Sequence, residues 1–162
     1  EIEFKIFSQF GDDGIIQFLI NKIEFDYKYH NFIEFGVENH KEANTKFLLL
    51  NNNWSGLIID SSKENINQIK KSNFFWKYNL DAKNSFITRE NINKIIADSK
   101  LDKNHIGILS IDIDGNDYWV WKEINVIDYT SFKNQCEKDE WYHHALTRIW
   151  GIMYNFQQRM DF

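Results

Sequence analysis

The strongest constraint in this sequence is an alternation. Short apolar runs, each closing on a glycine or an acid, are separated by stretches with helical spacing. The first run is Phe32-Ile33-Glu34-Phe35-Gly36-Val37, the second Gly56-Leu57-Ile58-Ile59-Asp60. The third spans 74–80 and closes at Asp81; the fourth spans 106–113 and leads into Asp112-Ile113-Asp114-Gly115. Runs this short, bounded by turn residues, have the character of strands buried on both faces. Between them lie helical stripes. Ile15, Ile16, Phe18, Leu19, Ile20 and Ile23 precede the first strand, with Asp12 or Asp13 placed to cap them. Phe47, Leu48 and Leu50 fall within 42–50, and Ile66 and Ile69 follow the capping candidates Ser61 and Ser62. Ile92, Ile95 and Ile96 follow Thr88, where Asn91 completes a poor capping box, and Trp119 and Trp121 lie within 116–124.

Strands alternating with helices predict βαβ units and therefore a parallel sheet. The fold expected is α/β: a Rossmann-like open, mainly parallel sheet with helices on both faces. Right-handed crossovers carry every strand's C-terminal end to one edge, and an open sheet of this kind binds ligands there. Glu34 and the Gly36 turn, Asp60, Asp81, Asp112 and Asp114 all fall at that edge in this reading. Beyond Ile124 the pattern weakens, so the sheet is expected to be shortened at its C-terminal side. Residues 126–129 are a candidate fifth strand. Tyr142, Leu146, Ile149, Met153, Phe156 and Met160 have helical spacing. The organisation expected is a ligand-binding domain over 1–130 and a helical segment over 131–162, packed on that domain or on a partner such as a second copy.

Composition narrows the partners. Of 162 residues, 43% are hydrophobic and 17% aromatic, which excludes a disordered chain. The net charge of −5 argues against a nucleic-acid partner, because phosphate binding needs a cationic face. The single cysteine, Cys136, excludes an internal disulfide framework and fits a reducing cytoplasm. No stretch reaches the roughly 18 apolar residues of a membrane span. The opening Glu1-Ile2-Glu3-Phe4-Lys5 lacks signal-peptide character, and the missing first methionine points to a trimmed or partial chain.

The strand-end residues suit a nucleoside-bearing methyl donor. Gly36 lets the turn approach a ligand closely, since it has no Cβ. Asp60, about 24 residues on, is spaced to accept both ribose hydroxyls. Asp81 is placed to receive an adenine amino group, and carboxylates around the cleft suit a sulfonium cation. The lone glycine does not make the G-x-G-x-x-G pattern, which disfavours a nicotinamide dinucleotide, and no P-loop pattern is present. Glu34 could instead be a strand acid held by backbone amides, and Asp60 a helix N-cap. Asp112, Asp114, Asn116 and Glu123 occupy positions 1, 3, 5 and 12 of a calcium loop. Position 6, however, is Asp117 where that loop needs glycine, and a strand precedes it, which rules against an EF-hand. His40 is read as an acceptor-facing or a plain loop histidine. His143 and His144 point about 100° apart on a helix and make a poor metal pair.

Several runs resemble the FkbM-like group of class I S-adenosylmethionine-dependent methyltransferases. They are Ser8-Gln9-Phe10-Gly11-Asp12-Asp13-Gly14-Ile15, Phe32-Ile33-Glu34-Phe35-Gly36-Val37, Asn44-Thr45-Lys46-Phe47-Leu48-Leu49, Trp54-Ser55-Gly56-Leu57-Ile58-Ile59-Asp60 and Leu109-Ser110-Ile111-Asp112-Ile113-Asp114-Gly115-Asn116-Asp117-Tyr118-Trp119. The likeness covers residues 8 to about 128. It implies O-methylation of a sugar or other small-molecule hydroxyl, as in glycan modification. It also implies cofactor contacts from Glu34, Gly36, Asp60, Ser61 and Asp81, with Asn39 and Asn44 as further candidates, and chemistry around Asp112 and Asp114. Those two aspartates are candidate Mg²⁺ ligands for orienting a diol, or one of them is the general base. A non-catalytic binding or structural subunit on a decayed methyltransferase scaffold is the alternative.

Overall fold

A computed structural model describes residues 2–23, 26–113 and 115–127. Among these residues four parallel strands form one sheet: β1 (Asn31–Phe35), β2 (Ser55–Asp60), β3 (Leu80–Asn84) and β4 (Ile108–Ile111), in the order β3-β2-β1-β4. Among the same residues six α-helices accompany them: α1 (Asp12–Ile23), α2 (Lys46–Leu50), α3 (Lys63–Lys71), α4 (Asn73–Lys77), α5 (Ile92–Ala97) and α6 (Asp117–Glu123). This is the Rossmann-like α/β architecture expected from the alternation. In β1 and β2, Ile33, Phe35, Leu57, Ile58 and Ile59 are fully buried, as strands covered on both faces must be.

Strand alternation divides the core into two layers. Phe32, Ile58, Leu80 and Ala82 pack with Ile16 and Ile20 of α1, Leu48 and Leu49 of α2, and Ile66 and Ile69 of α3. The intervening residues Ile33, Phe35, Leu57 and Ile59 point the other way. Ile92 and Ile96 of α5 and Val120 of α6 are buried as well, and α5 and α6 touch. Register fixes the layers: Phe32 lies beside Gly56 and Ile108, and Gly56 beside Leu80. A Cβ at Gly56 would strike the far edge of the Phe32 ring, so glycine is what makes room for that ring beside β2.

The third strand departs from the sequence reading. Residues 74–80 were expected as the strand; 73–77 form α4 instead, and β3 begins at Leu80. Phe74 and Phe75 are half-buried against the core while Trp76 is 79% exposed, as on the face of a surface helix. The real strand, Leu-Asp-Ala-Lys-Asn, buries only Leu80 and Ala82. It closes one margin of the sheet, where charged side chains are tolerated because one flank stays open.

Helix starts also differ in detail. Ser62 caps α3 by accepting the Asn65 N–H (3.2 Å), as expected. Neither Asp12 nor Asp13 acts as a simple cap for α1. Asp13 Oδ2 instead gathers the amides of Ile6, Phe7 and Ser8 at 2.6–2.9 Å, and Ser8 Oγ accepts the Asp13 N–H. Half of the capping box at Thr88 forms, its N–H donating to Asn91 Oδ1, although α5 starts only at Ile92. The candidate fifth strand over 126–129 lies partly, and the 131–162 segment wholly, outside the described residues. Among the described residues no helix is long and apolar enough to cross a membrane.

Candidate functional site

The order β3-β2-β1-β4 places a topological switch between β1 and β4, because the chain leaves β1 toward β2 on one side and returns as β4 on the other. Ligands bind open α/β sheets at such a point, outside the strands' carboxyl ends. A cleft of about 460 Å³ lies there, within the range of small-molecule sites. Its walls come from all four strand ends: Gly36 and Glu38 after β1, Asp60 to Ser62 at β2, Ser85 to Ile87 after β3, and Asp112, Ile113 and Asn116 after β4. Gln9, Ile59 and Asn65 complete the described lining.

Hydrogen bonds beyond the sheet ladder tie these ends together. The Gly36 N–H donates to the Ile59 carbonyl (3.0 Å) and the Asp112 N–H to the Phe35 carbonyl (3.2 Å). The Ser85 N–H donates to the Asp60 carbonyl (3.0 Å), and Asn84 Nδ2 reaches the carbonyls of Asp60 and Ser61. Gly36 has φ +76, and a Cβ there would land on the Asp112 carbonyl oxygen. The chain itself therefore requires glycine here, at the β1–β4 seam, and the same residue lines the cleft.

Asp60 is the organising acid. It is 8% exposed, Oδ1 accepts the Ser62 N–H (2.7 Å), and Oδ2 accepts the Glu38 N–H (2.8 Å). Asn65 Nδ2 stands 3.4 Å from Oδ1. Each carboxylate oxygen has about two lone-pair sites, so Oδ2 retains capacity for a ligand hydroxyl. Asp60 and Ser61 therefore sit where the sequence placed them. Helix α3 takes its cap from Ser62, which removes the reading of Asp60 as an N-cap.

Other expected residues do not meet at the cleft. Glu34 is 3% exposed and holds the start of α2: Oε1 accepts the Asn44 N–H (2.9 Å), and Oε2 the Thr45 N–H (3.2 Å) and hydroxyl (2.5 Å). Burial pushes its carboxyl above the usual range, against the pull of those donors, and nearby Asp112 pushes the same way. Asn44 gives its backbone to Glu34 and its side chain to Ser110 Oγ (3.4 Å). Asn39 makes an Asx turn with the Lys41 N–H (3.0 Å). None of these three lines the cleft. Asp81, expected at a strand end, is the second residue of the marginal strand β3, beside Leu57 and short of the carboxyl edge. Ser85 and Phe86 occupy the strand-end position in its place, and Phe86 presents a 71% exposed ring.

Asp112 is exposed at the β4 lip of the cleft. The turn beyond it is held by Asp117, whose oxygens accept the Ile113 N–H (2.8 Å) and Gly115 N–H (3.0 Å). Asn116 occupies the cap position of α6 without a side-chain cap bond. Asp114 lies outside the described residues, as do His143 and His144. Among the described residues no group of three His, Cys, Asp or Glu side chains could hold a metal ion. His40 is neither acceptor-facing nor a plain loop residue. It is buried beneath the turn, its ring 5.4 Å from that of Phe74.

Glu38, Asn65, Ser85 and Phe86 were not singled out from the sequence. Glu38 and Asn65 lie one short turn from Gly36 and Asp60 and carry no periodic signal; Ser85 and Phe86 were hidden by the misplaced third strand. The fold and site define a Rossmann-like α/β domain with a polar, carboxylate-bearing cleft at its switch point. No family model, curated protein or solved structure matches the chain.

Proposed function

We propose that the chain is an S-adenosylmethionine-dependent methyltransferase that O-methylates a sugar or other small-molecule hydroxyl. The observation that carries this reading is Asp60: a carboxylate at the end of β2, fixed by two backbone amides, on the wall of a cleft at the β1–β4 switch point. Such an acid accepts ribose hydroxyls. Phe86 offers an aromatic face for a purine beside it, with Ser85 supplying polar atoms in the role first given to Asp81. The cofactor, when bound, supplies an electrophilic methyl group. The protein's own contribution is then positioning, which suffices for much of the acceleration of an in-line transfer. Asp112, exposed at the far lip, is the general base for an acceptor hydroxyl entering from the β4 side.

One observation favours a second reading. Glu34 spends its carboxylate on α2 and Asp81 sits near the start of β3, so two carboxylates expected around the cofactor are elsewhere. A non-catalytic binding domain would keep the Asp60 wall and lack turnover.

Titration calorimetry with S-adenosylmethionine separates the outcomes. Micromolar binding is expected. Asp60→Ala should weaken it by about 1–3 kcal/mol, the cost of losing a buried hydrogen-bonding acceptor. A folded protein that takes up no ligand refutes the proposal. Binding with no methyl transfer to any of a panel of sugar and phenolic acceptors moves the assignment to the second reading.

A further inference from the structure

The cleft combines a nucleoside-sized space with an unusual charge inventory. Among the described residues its lining includes Glu38, Asp60 and Asp112 and no lysine, arginine or histidine. Amides at the start of α3 could in principle cradle a phosphate, as helix N-termini often do. Two are already used: the Ser62 N–H is given to Asp60 Oδ1 and the Asn65 N–H to Ser62 Oγ. Asp60 itself has its charge dispersed over the amides of Glu38 and Ser62.

Glu38 differs from Asp60, which is buried. It is exposed, lines the cleft, and makes no ion pair among the described residues. Its backbone is held at φ +47, with the N–H donated to Asp60 Oδ2 at 2.8 Å, so the loop carrying the side chain is anchored to the same wall that would hold a ribose. An anchored carboxylate in a cleft whose described lining carries no countercharge repels phosphates and attracts cations. We propose that Glu38 is a specificity-determining residue that makes this cleft select a cationic adenosine derivative over anionic nucleotides sharing the same nucleoside. Glu34, the strand acid two residues before Gly36, is engaged at the start of α2 instead.

This inference rests on the S-adenosylmethionine reading, and the experiment keeps the two apart. Affinities of S-adenosylmethionine, adenosine and ADP are measured by calorimetry for the wild-type chain, Glu38→Gln and Glu38→Asp. The wild type should prefer S-adenosylmethionine to ADP. Glu38→Gln should weaken S-adenosylmethionine about fivefold, the scale of one partly exposed charge interaction, leave adenosine unchanged and narrow the margin over ADP. Glu38→Asp should keep most of the preference. Wild-type binding of S-adenosylmethionine with no change in Glu38→Gln overturns the role of Glu38 and leaves the proposed function standing. An equal loss for adenosine and S-adenosylmethionine overturns it as well, since the residue would then only shape the loop. A wild-type chain that binds none of the three overturns both.

Discussion

Lowering the pH from 7.5 to 5 should cost this protein about 2 kcal/mol of stability that a His40→Leu variant does not lose. His40 is 1% exposed, stands at φ +60, and has no hydrogen-bond partner for either ring nitrogen among the described residues. The Lys46 ammonium donates to its carbonyl oxygen at 2.7 Å. Burial, helped by that positive charge, pushes the imidazole from 6.5 down to about 3. In the unfolded chain the ring titrates at its ordinary value of about 6.5. Above that pH both states hold it neutral and nothing is lost. Below it the unfolded state binds a proton that the folded state refuses, so stability falls by about 1.36 kcal/mol per pH unit until the folded ring protonates. At pH 5, about 1.5 units below the unfolded value, the loss is about 2 kcal/mol. Glu34 acts in the opposite sense: its pKa is raised by burial, so acid relieves its penalty. Both proteins share Glu34, and the difference between them isolates His40. Urea denaturation of each at pH 7.5 and 5 measures that difference. At pH 7.5 the variant should be as stable as the wild type or more so, because it removes unpartnered buried polar atoms. Parallel losses in the two proteins on acidification would refute a buried, neutral His40.

Two glycines with positive φ should respond differently to the same change. Gly36→Ala adds backbone strain and a clash with the Asp112 carbonyl, and should cost roughly 2–5 kcal/mol or abolish folding. Gly115→Ala adds a Cβ that meets no described atom within 4 Å, and should cost only about 1 kcal/mol, both read from thermal or urea unfolding. Ser62→Ala removes the α3 cap and should destabilise by about 1 kcal/mol, with Ser62→Asp restoring most of it.

The parallel sheet was legible because its signal is collective. β1 and β2 run centrally, buried on both faces, so their sequences are nearly continuous apolar runs bounded by turns. β3 was misread for the complementary reason. As a marginal strand it alternates Asp81 and Lys83 with the buried Leu80 and Ala82, while the aromatic run Phe74-Phe75-Trp76 just before it imitates a buried strand. That slip moved Asp81 onto the ligand edge and hid Phe86. The site was legible where one residue's position decides its role, as with Asp60 at a strand end. It was illegible where orientation decides. Glu34 lies on the side of β1 that faces α2, and among the described residues Asn44 and Thr45 supply its donors. No spacing rule distinguishes that carboxylate from one aimed at a ligand. His40 was missed similarly, since a histidine in a polar loop gives no sequence sign of burial.

The most direct test of the proposed function is a structure of the chain crystallised with S-adenosylmethionine. The ribose hydroxyls should lie on Asp60 Oδ2, the adenine against Phe86 and Ser85, and the sulfonium end toward Glu38 and Asp112. A ligand bound elsewhere on the chain, or a cleft that stays empty at saturating ligand while the fold is intact, would contradict the assignment.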